Sequence, residues 1–152
     1  MRLTGPDGAL ELVLVGYQFP QIATAEYDSN WLNVRVRVHH ARGDWTAQDP
    51  SLLTYEAAQL ADWLEAVADG KEADAECSFL EPNLRFELRL APSGQRVLRA
   101  FFELESRPKW ATHDGVPEDD IFVDLPVDRS QLTAAAAALR EQLQVYPQRA
   151  AR

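Results

Sequence analysis

The 152-residue sequence contains one cysteine, Cys77, and no apolar run that approaches the roughly 20 residues needed to span a bilayer. A single cysteine excludes an internal disulfide and a thiolate zinc cluster, because both need several sulfur atoms. Residues 1–8 carry Gly5, Pro6 and Gly8 where a secretory signal would carry an apolar core. We therefore expect no export signal and a cytoplasmic location.

Basic residues are also in the minority, with 15 lysines and arginines against 24 aspartates and glutamates and a formal net charge of −9. A negative field repels phosphate backbones and acidic membranes, so the charge balance predicts neither nucleic-acid nor membrane binding. The same field would speed encounter with a basic protein. Net negative charge is, however, also a common way to keep a protein soluble, so the charge alone does not identify a partner.

No motif typical of an enzyme is present: the sequence has no Walker loop, no Gly-x-Gly-x-x-Gly and no Gly-x-Ser-x-Gly. His39 and His40 are adjacent, so on a strand they point to opposite faces and cannot hold one metal ion together. His113-Asp114 lies in a loop without an associated nucleophile, and Cys77 has no basic cluster beside it. We expect no catalytic residue, no metal site and no cofactor.

Period-two and helical patterns follow one another along the first half of the chain. Residues 10–15, 32–38 and 45–47 read as strands, and residues 41–44 read as a hairpin turn. Asp49-Pro50 is predicted to end this unit. Thr54 then serves as the expected N-cap of a helix running to about Asp69, with Gly70 as its left-handed C′ residue.

The second half repeats the order of strands followed by a helix. Residues 84–90 and 97–105 read as a hairpin with cross-strand Arg/Glu pairs, and residues 121–125 read as a further strand. Asp128 and Gln131 have the spacing of a capping box, which predicts a helix that ends before Pro147. The expected fold is α+β, one domain over residues 1–152 with a single antiparallel sheet and two helices on one face.

Two segments, residues 27–32 and 79–84, place carboxylates, carboxamides and large apolar groups where a loop meets a strand. The ends of neighbouring hairpins could bring these side chains together as a partner-binding surface, because tryptophan beside polar groups is favoured at interfaces. The candidate residues, with an acidic run further along the chain, are Asp28, Asn30, Trp31, Trp45, Glu81, Asn83, Glu118, Asp119 and Asp120.

Three alternatives to this binding surface remain open. Asp28, Asn30 and Asn83 could bond only to their own turn backbones. Glu81, Glu103 and Glu105 could form an acid/base set, although salt-bridged strand residues explain them better. The third is a small-ligand protein or enzyme with a pocket between helix and sheet, lined by Trp63, Phe86 and Phe102.

Several motifs spread over nearly the whole chain carry a resemblance to a known family. They are Tyr27-Asp28-Ser29-Asn30-Trp31-Leu32, Gly43-Asp44-Trp45, Leu53-Thr54, Leu60 with Trp63-Leu64, Phe79-Leu80-Glu81-Pro82-Asn83-Leu84 and Phe102-Glu103-Leu104-Glu105. In these the sequence resembles the WapI-like family of small bacterial proteins, which includes an immunity protein that neutralises the nuclease end of a contact-dependent toxin. The resemblance implies a protein that binds and inhibits a toxin domain without catalysis. Together with the charge of −9 it leads us to expect a basic toxin domain as the partner and a monomer or weak homodimer. The alternative is a housekeeping interaction module with no toxin partner.

Overall fold

The computed structural model describes residues 1–71, 73–113, 116–117 and 119–150. Within these ranges the first four strands, β1 (Arg2–Thr4), β2 (Gly8–Tyr17), β3 (Trp31–His40) and β4 (Trp45–Leu53), form one antiparallel sheet in chain order. The chain then continues through α1 (Thr54–Ala68), β5 (Glu76–Ser78), β6 (Leu84–Leu90), β7 (Arg96–Phe102), β8 (Thr112–His113), β9 (Val116–Pro117), β10 (Ile121–Pro126) and α2 (Arg129–Val145). A second antiparallel sheet has the order β10-β7-β6-β5, and β8 and β9 form a separate pair.

The expectation of a single sheet with two helices on one face is wrong, because the eight main strands divide into two four-stranded sheets. Both edges of the β6–β7 hairpin are occupied, by β5 and by β10. Strand β4 ends the first sheet and leads directly into α1. Alternation along a strand shows which side chains share a face, but it does not show which hairpins pair with each other.

The predicted end of the first unit at Asp49-Pro50 is also wrong, since β4 continues to Leu53. Proline lacks a backbone N–H and is tolerated on an edge strand or at a bulge. Both conditions hold here: β4 is an edge strand, and its pairing with β3 shifts register between Leu32 and Asn33. The preceding hairpin turn agrees with the prediction, with Gly43 at a φ of +138°.

One hydrophobic cluster joins side chains from both sheets and both helices. The face of β3 predicted to be apolar is buried, as Leu32 and Val34 illustrate. Phe86 and Phe102 are 0% exposed and Trp63 is 8% exposed, so all three belong to this core. Phe86 and Phe102 pack inside the core, whereas Trp63 also borders an open surface depression between α1 and the chain that leads into β5. The two buried phenylalanine rings do not share that opening, so the three rings do not line one pocket as the pocket alternative requires.

The two helices lie antiparallel and are joined by ion pairs. Arg140 donates to Glu65 at 2.8 Å and pairs with Asp62, while Arg129 near the start of α2 reaches Asp69 just after α1. Among the residues that the structure describes, no helix is long and apolar enough to cross a membrane.

The helix ends follow the sequence signals with one difference. Asp128 Oδ1 accepts the Gln131 N–H at 2.8 Å and Gln131 Oε1 accepts the Asp128 N–H at 2.9 Å, which confirms the capping box. Gly70 has a φ of +65°, as predicted for C′. Thr54, however, is the first helical residue and not the cap, and its hydroxyl donates to a distant asparagine.

The outer face of the second sheet carries arginines over aromatic rings. The guanidinium of Arg85 lies 3.6 Å from the centre of the Phe101 ring, and that of Arg99 lies 3.8 Å from the centre of Phe122. Arg99 also pairs across strands with Asp124 at 2.7 Å. Such contacts contribute about 0.5–1 kcal/mol each at exposed positions. They leave this face internally paired.

Candidate functional site

Asn30, in the first of the two segments, connects three separate parts of the chain. It is 0% exposed, and its Oδ1 accepts hydrogen bonds from the Thr54 hydroxyl at 2.9 Å and from the Arg149 backbone N–H at 3.0 Å. Its Nδ2 donates to the Glu26 carbonyl at 2.7 Å. The side chain therefore holds the loop before β3, the first turn of α1 and the C-terminal segment together, while the neighbouring Asp28 is exposed.

The second segment is fixed by a glutamate from the first turn of α1. Glu56 is 7% exposed, and its two carboxylate oxygens accept the backbone N–H of Leu53 at 2.9 Å and of Leu80 at 2.6 Å. One carboxylate therefore caps α1 and anchors the chain that leads into β6. This anchor positions Glu81, which follows Leu80 directly, and Asn83 two residues further on.

Trp31, Glu81 and Asn83 come together at an open depression on the surface. We call it the acidic depression; its lining residues are Gln18, Trp31, Asp49, Pro50, Glu81, Asn83, Leu104 and Glu105. Asn83 is 1% exposed and donates from Nδ2 to Glu105 Oε2 at 3.2 Å. The structure thus brings three of the nine candidate residues to one place, beside two further carboxylates.

The carboxylates of the acidic depression interact electrostatically. Burial raises the pKa of Asp49 above its ordinary value, and the charges of Glu105 and Glu81 raise it further. A hydrogen bond with Asn83 acts in the opposite direction on the same pKa. Proximity of like charges disfavours the ionised form. The depression therefore holds negative charge at a cost to the isolated protein.

Replacing Asp49 with asparagine is expected to leave the free energy of unfolding at pH 7 unchanged or higher. A carboxyl whose pKa is raised by folding destabilises the folded state when ionised, and this penalty disappears as the pH falls through its folded pKa. The advantage of Asp49→Asn over the unmodified chain should shrink as the pH falls from 7 toward about 4, where aspartate is half protonated in unfolded chains. Urea unfolding at several pH values measures this stability difference, with Asp7→Asn as an exposed control. A lower stability of Asp49→Asn at pH 7 would contradict the prediction.

Leu104 borders the depression in an unusual backbone conformation. Its φ is +47°, in the left-handed region, and its side chain is 54% exposed. A non-glycine residue in this region costs roughly 1–2 kcal/mol. The turn that holds it, Leu104–Ser106, is fixed at both ends: the Glu103 N–H donates to the Asn83 carbonyl at 3.0 Å, and Trp45 Nε1 donates to the Ser106 carbonyl at 2.9 Å.

The other candidate residues lie outside the acidic depression. The Trp45 ring packs edge-on against Phe102, with their centres 5.1 Å apart, and borders a separate open depression beside the β3–β4 hairpin turn. Asp119 and Asp120 are exposed and line a different depression with Arg107, whose guanidinium donates to the Asp119 carbonyl at 3.2 Å. Glu118 lies outside the described residues.

The titratable side chains considered for catalysis occupy ordinary settings. His39 Nδ1 lies 2.7 Å from Asp44 Oδ1, and both side chains are exposed beside the turn that joins β3 to β4. Cys77 is buried, and burial raises the pKa of its thiol to about 12. The His113 side chain and Asp114 lie outside the described residues. In the described ranges, no three or more His, Cys, Asp or Glu side chains are grouped to hold a metal ion.

Two carboxylates of the acidic depression were not among the predicted partner-binding residues. The sequence predicts that Asp49 and Pro50 end the first unit, but Asp49 lies inside β4. Glu105 was assigned to the exposed face of a strand, but β7 ends at Phe102 and Glu105 lies in the following turn. Extending the predicted hairpin pairing of β3 with β4 would have located Asp49. It lies opposite Val34, a residue of β3, and β3 begins at Trp31.

Taken together, these features define a small acidic α+β protein whose charged depression opens on its surface. Residues 2–147 match the model of a family described as the immunity protein WapI-like family. The chain belongs to this family, as its motifs suggested. Comparisons with curated proteins and with solved structures gave no match.

Proposed function

We propose that this protein is an immunity protein that binds a nuclease toxin domain and keeps it inactive, without catalysis of its own. The observation that carries the proposal is the family match, which extends over residues 2–147 of the chain. Stoichiometric binding is sufficient for such a role. The substrates of a nuclease are in the cytoplasm, and the proposed site of action is there.

The charge of the chain supports a basic partner. A nuclease presents cationic groups to the phosphates of its substrate, whereas this chain has a formal net charge of −9. Complementary fields accelerate association and favour one orientation of the two proteins. The carboxylates of the acidic depression form a local concentration of this charge.

Inhibition of the toxin domain encoded beside this gene is the direct test. We expect an equimolar amount of the purified chain to abolish cleavage of RNA or DNA by that domain and to co-elute with it in gel filtration. Heat-denatured chain provides the negative control. A toxin domain that remains fully active and forms no complex at low salt would refute the proposed function.

Association of the two proteins is expected to slow as salt is added. Electrostatic steering raises association rates by about 10–10³-fold and weakens over a Debye length, about 30 Å at 0.01 M salt and about 10 Å at 0.1 M salt. Stopped-flow mixing at these two salt concentrations should show an association rate at least about tenfold lower at the higher one. Equal rates would show that the charge of the chain does not guide the encounter.

A further inference from the structure

The carboxylates of the acidic depression lack the cationic partners that other carboxylates in this protein have. Glu65 is paired with Arg140 and Asp124 with Arg99. Within the described ranges, Asp49, Glu81 and Glu105 form no ion pair with lysine or arginine. Glu105 Oε2 instead accepts a hydrogen bond from the side-chain amide of Asn83. The depression is therefore an electrostatic environment that a cation from outside would relieve.

Apolar side chains border the same carboxylates. Leu104 lines the depression and is 54% exposed, one of the few large apolar side chains that reach solvent in the described part of the chain. Trp31 lies half-buried in the lining of the depression. Lysine and arginine carry an apolar stem below a charged head. A depression that combines exposed leucine and indole with unpaired carboxylates has the chemistry that such a side chain needs.

The geometry of the depression is held from behind. Asn83 is 1% exposed; its side chain bonds to Glu105, and its carbonyl accepts the N–H of Glu103. The indole of Trp45 bonds to the carbonyl of Ser106 at the end of the same turn. Side chains held in place before binding lose little freedom when a partner arrives, which favours affinity.

We infer that the acidic depression is the docking surface for a lysine or arginine side chain of the toxin domain. The charged head lies among the carboxylates of Asp49, Glu81 and Glu105, and its apolar stem lies against Trp31 and Leu104. This inference rests on the proposed function and adds the surface and the chemistry of the contact. Charge complementarity selects the occupant, because an acidic or purely apolar group would leave the three carboxylates uncompensated.

A pair of double variants that remove the same number of charges tests the assignment. Asp49→Asn/Glu81→Gln removes two carboxylates of the depression, whereas Asp7→Asn/Glu141→Gln removes two exposed carboxylates elsewhere. Surface plasmon resonance with the toxin domain encoded beside the gene should show dissociation at least about tenfold faster for the first variant. The second should change dissociation less than about threefold, because distant charges act mainly on association.

Leu104→Gly separates binding from folding. Glycine adopts a positive φ without a steric penalty, so the thermal midpoint should stay the same or rise while the toxin domain dissociates several-fold faster. An unchanged dissociation rate for this variant, or equal effects of the two double variants, would overturn the docking surface and leave the proposed function intact. Absence of any complex with the unmodified chain would overturn both.

Discussion

Replacing Asn30 with alanine is expected to lower the free energy of unfolding by about 3 kcal/mol. The substitution removes the acceptor of the Thr54 hydroxyl and of the Arg149 N–H, and the donor to the Glu26 carbonyl. A buried polar group left without a partner costs about 1–3 kcal/mol. Three separate segments lose their common contact at once, so urea unfolding should show a clearly lower midpoint.

Asn30→Asp is the matched control for this prediction. It keeps the shape of the side chain and its Oδ1 acceptor, but replaces the donating amide with a second oxygen that faces the Glu26 carbonyl. Because the residue is 0% exposed, the new charge is buried as well. We expect a loss of stability at least as large as for alanine at pH 7. An Asn30→Ala protein as stable as the unmodified chain would show that this connection adds little.

Replacing Glu56 with alanine is expected to cost a similar amount, about 3–4 kcal/mol, and to weaken toxin binding too. Hydrogen bonds to a charged group contribute about 1.5–3 kcal/mol each, and this carboxylate accepts two, from the N–H groups of Leu53 and Leu80. The first is the cap of α1; the second fixes the chain just before Glu81. Chemical unfolding measures the loss of stability, and the dissociation rate of the toxin complex measures the loss of binding.

Glu56→Gln tests whether both hydrogen bonds to this carboxylate contribute to stability. Glutamine keeps one acceptor oxygen, so one of the two N–H groups stays bonded while the other faces an amide N–H₂. We expect stability between that of the unmodified chain and that of the alanine variant. If both variants unfold like the unmodified chain, Glu56 does not anchor the segment that leads into β6.

Local features of the fold followed directly from neighbouring residues in the sequence. The capping box of Asp128 and Gln131, the glycine at the end of α1 and the buried face of β3 depend on side chains a few positions apart, and all three are present. The partition into two sheets depends on which strands occupy the edges of the β6–β7 hairpin. That choice involves β5 and β10, distant in sequence and short, whose pairing no local pattern specifies.

The candidate site shows the same division between local and distant information. The mixed polar and aromatic character of residues 79–84 directed attention to Glu81 and Asn83, which line the acidic depression. The sequence did not predict Asp49 and Glu105 as part of the site. Their positions depend on edge strand β4, which continues through Pro50, and on β7, which ends before Glu105. Asn30 and Asn83 are both buried, but Asn30 joins distant segments of the chain while Asn83 supports a carboxylate of the depression, and composition does not distinguish these two roles.

The arginine-covered outer face of the second sheet should resist self-association at high protein concentration. With Arg85 and Arg99 spread over Phe101 and Phe122, little bare ring surface remains, and neighbouring acids neutralise the guanidinium groups. We expect two copies that collide at this face not to associate, because the face presents neither exposed apolar surface nor unbalanced charge. The excess negative charge lies on the rest of the molecule. The electric field should therefore orient an approaching cationic protein toward those surfaces and away from this face.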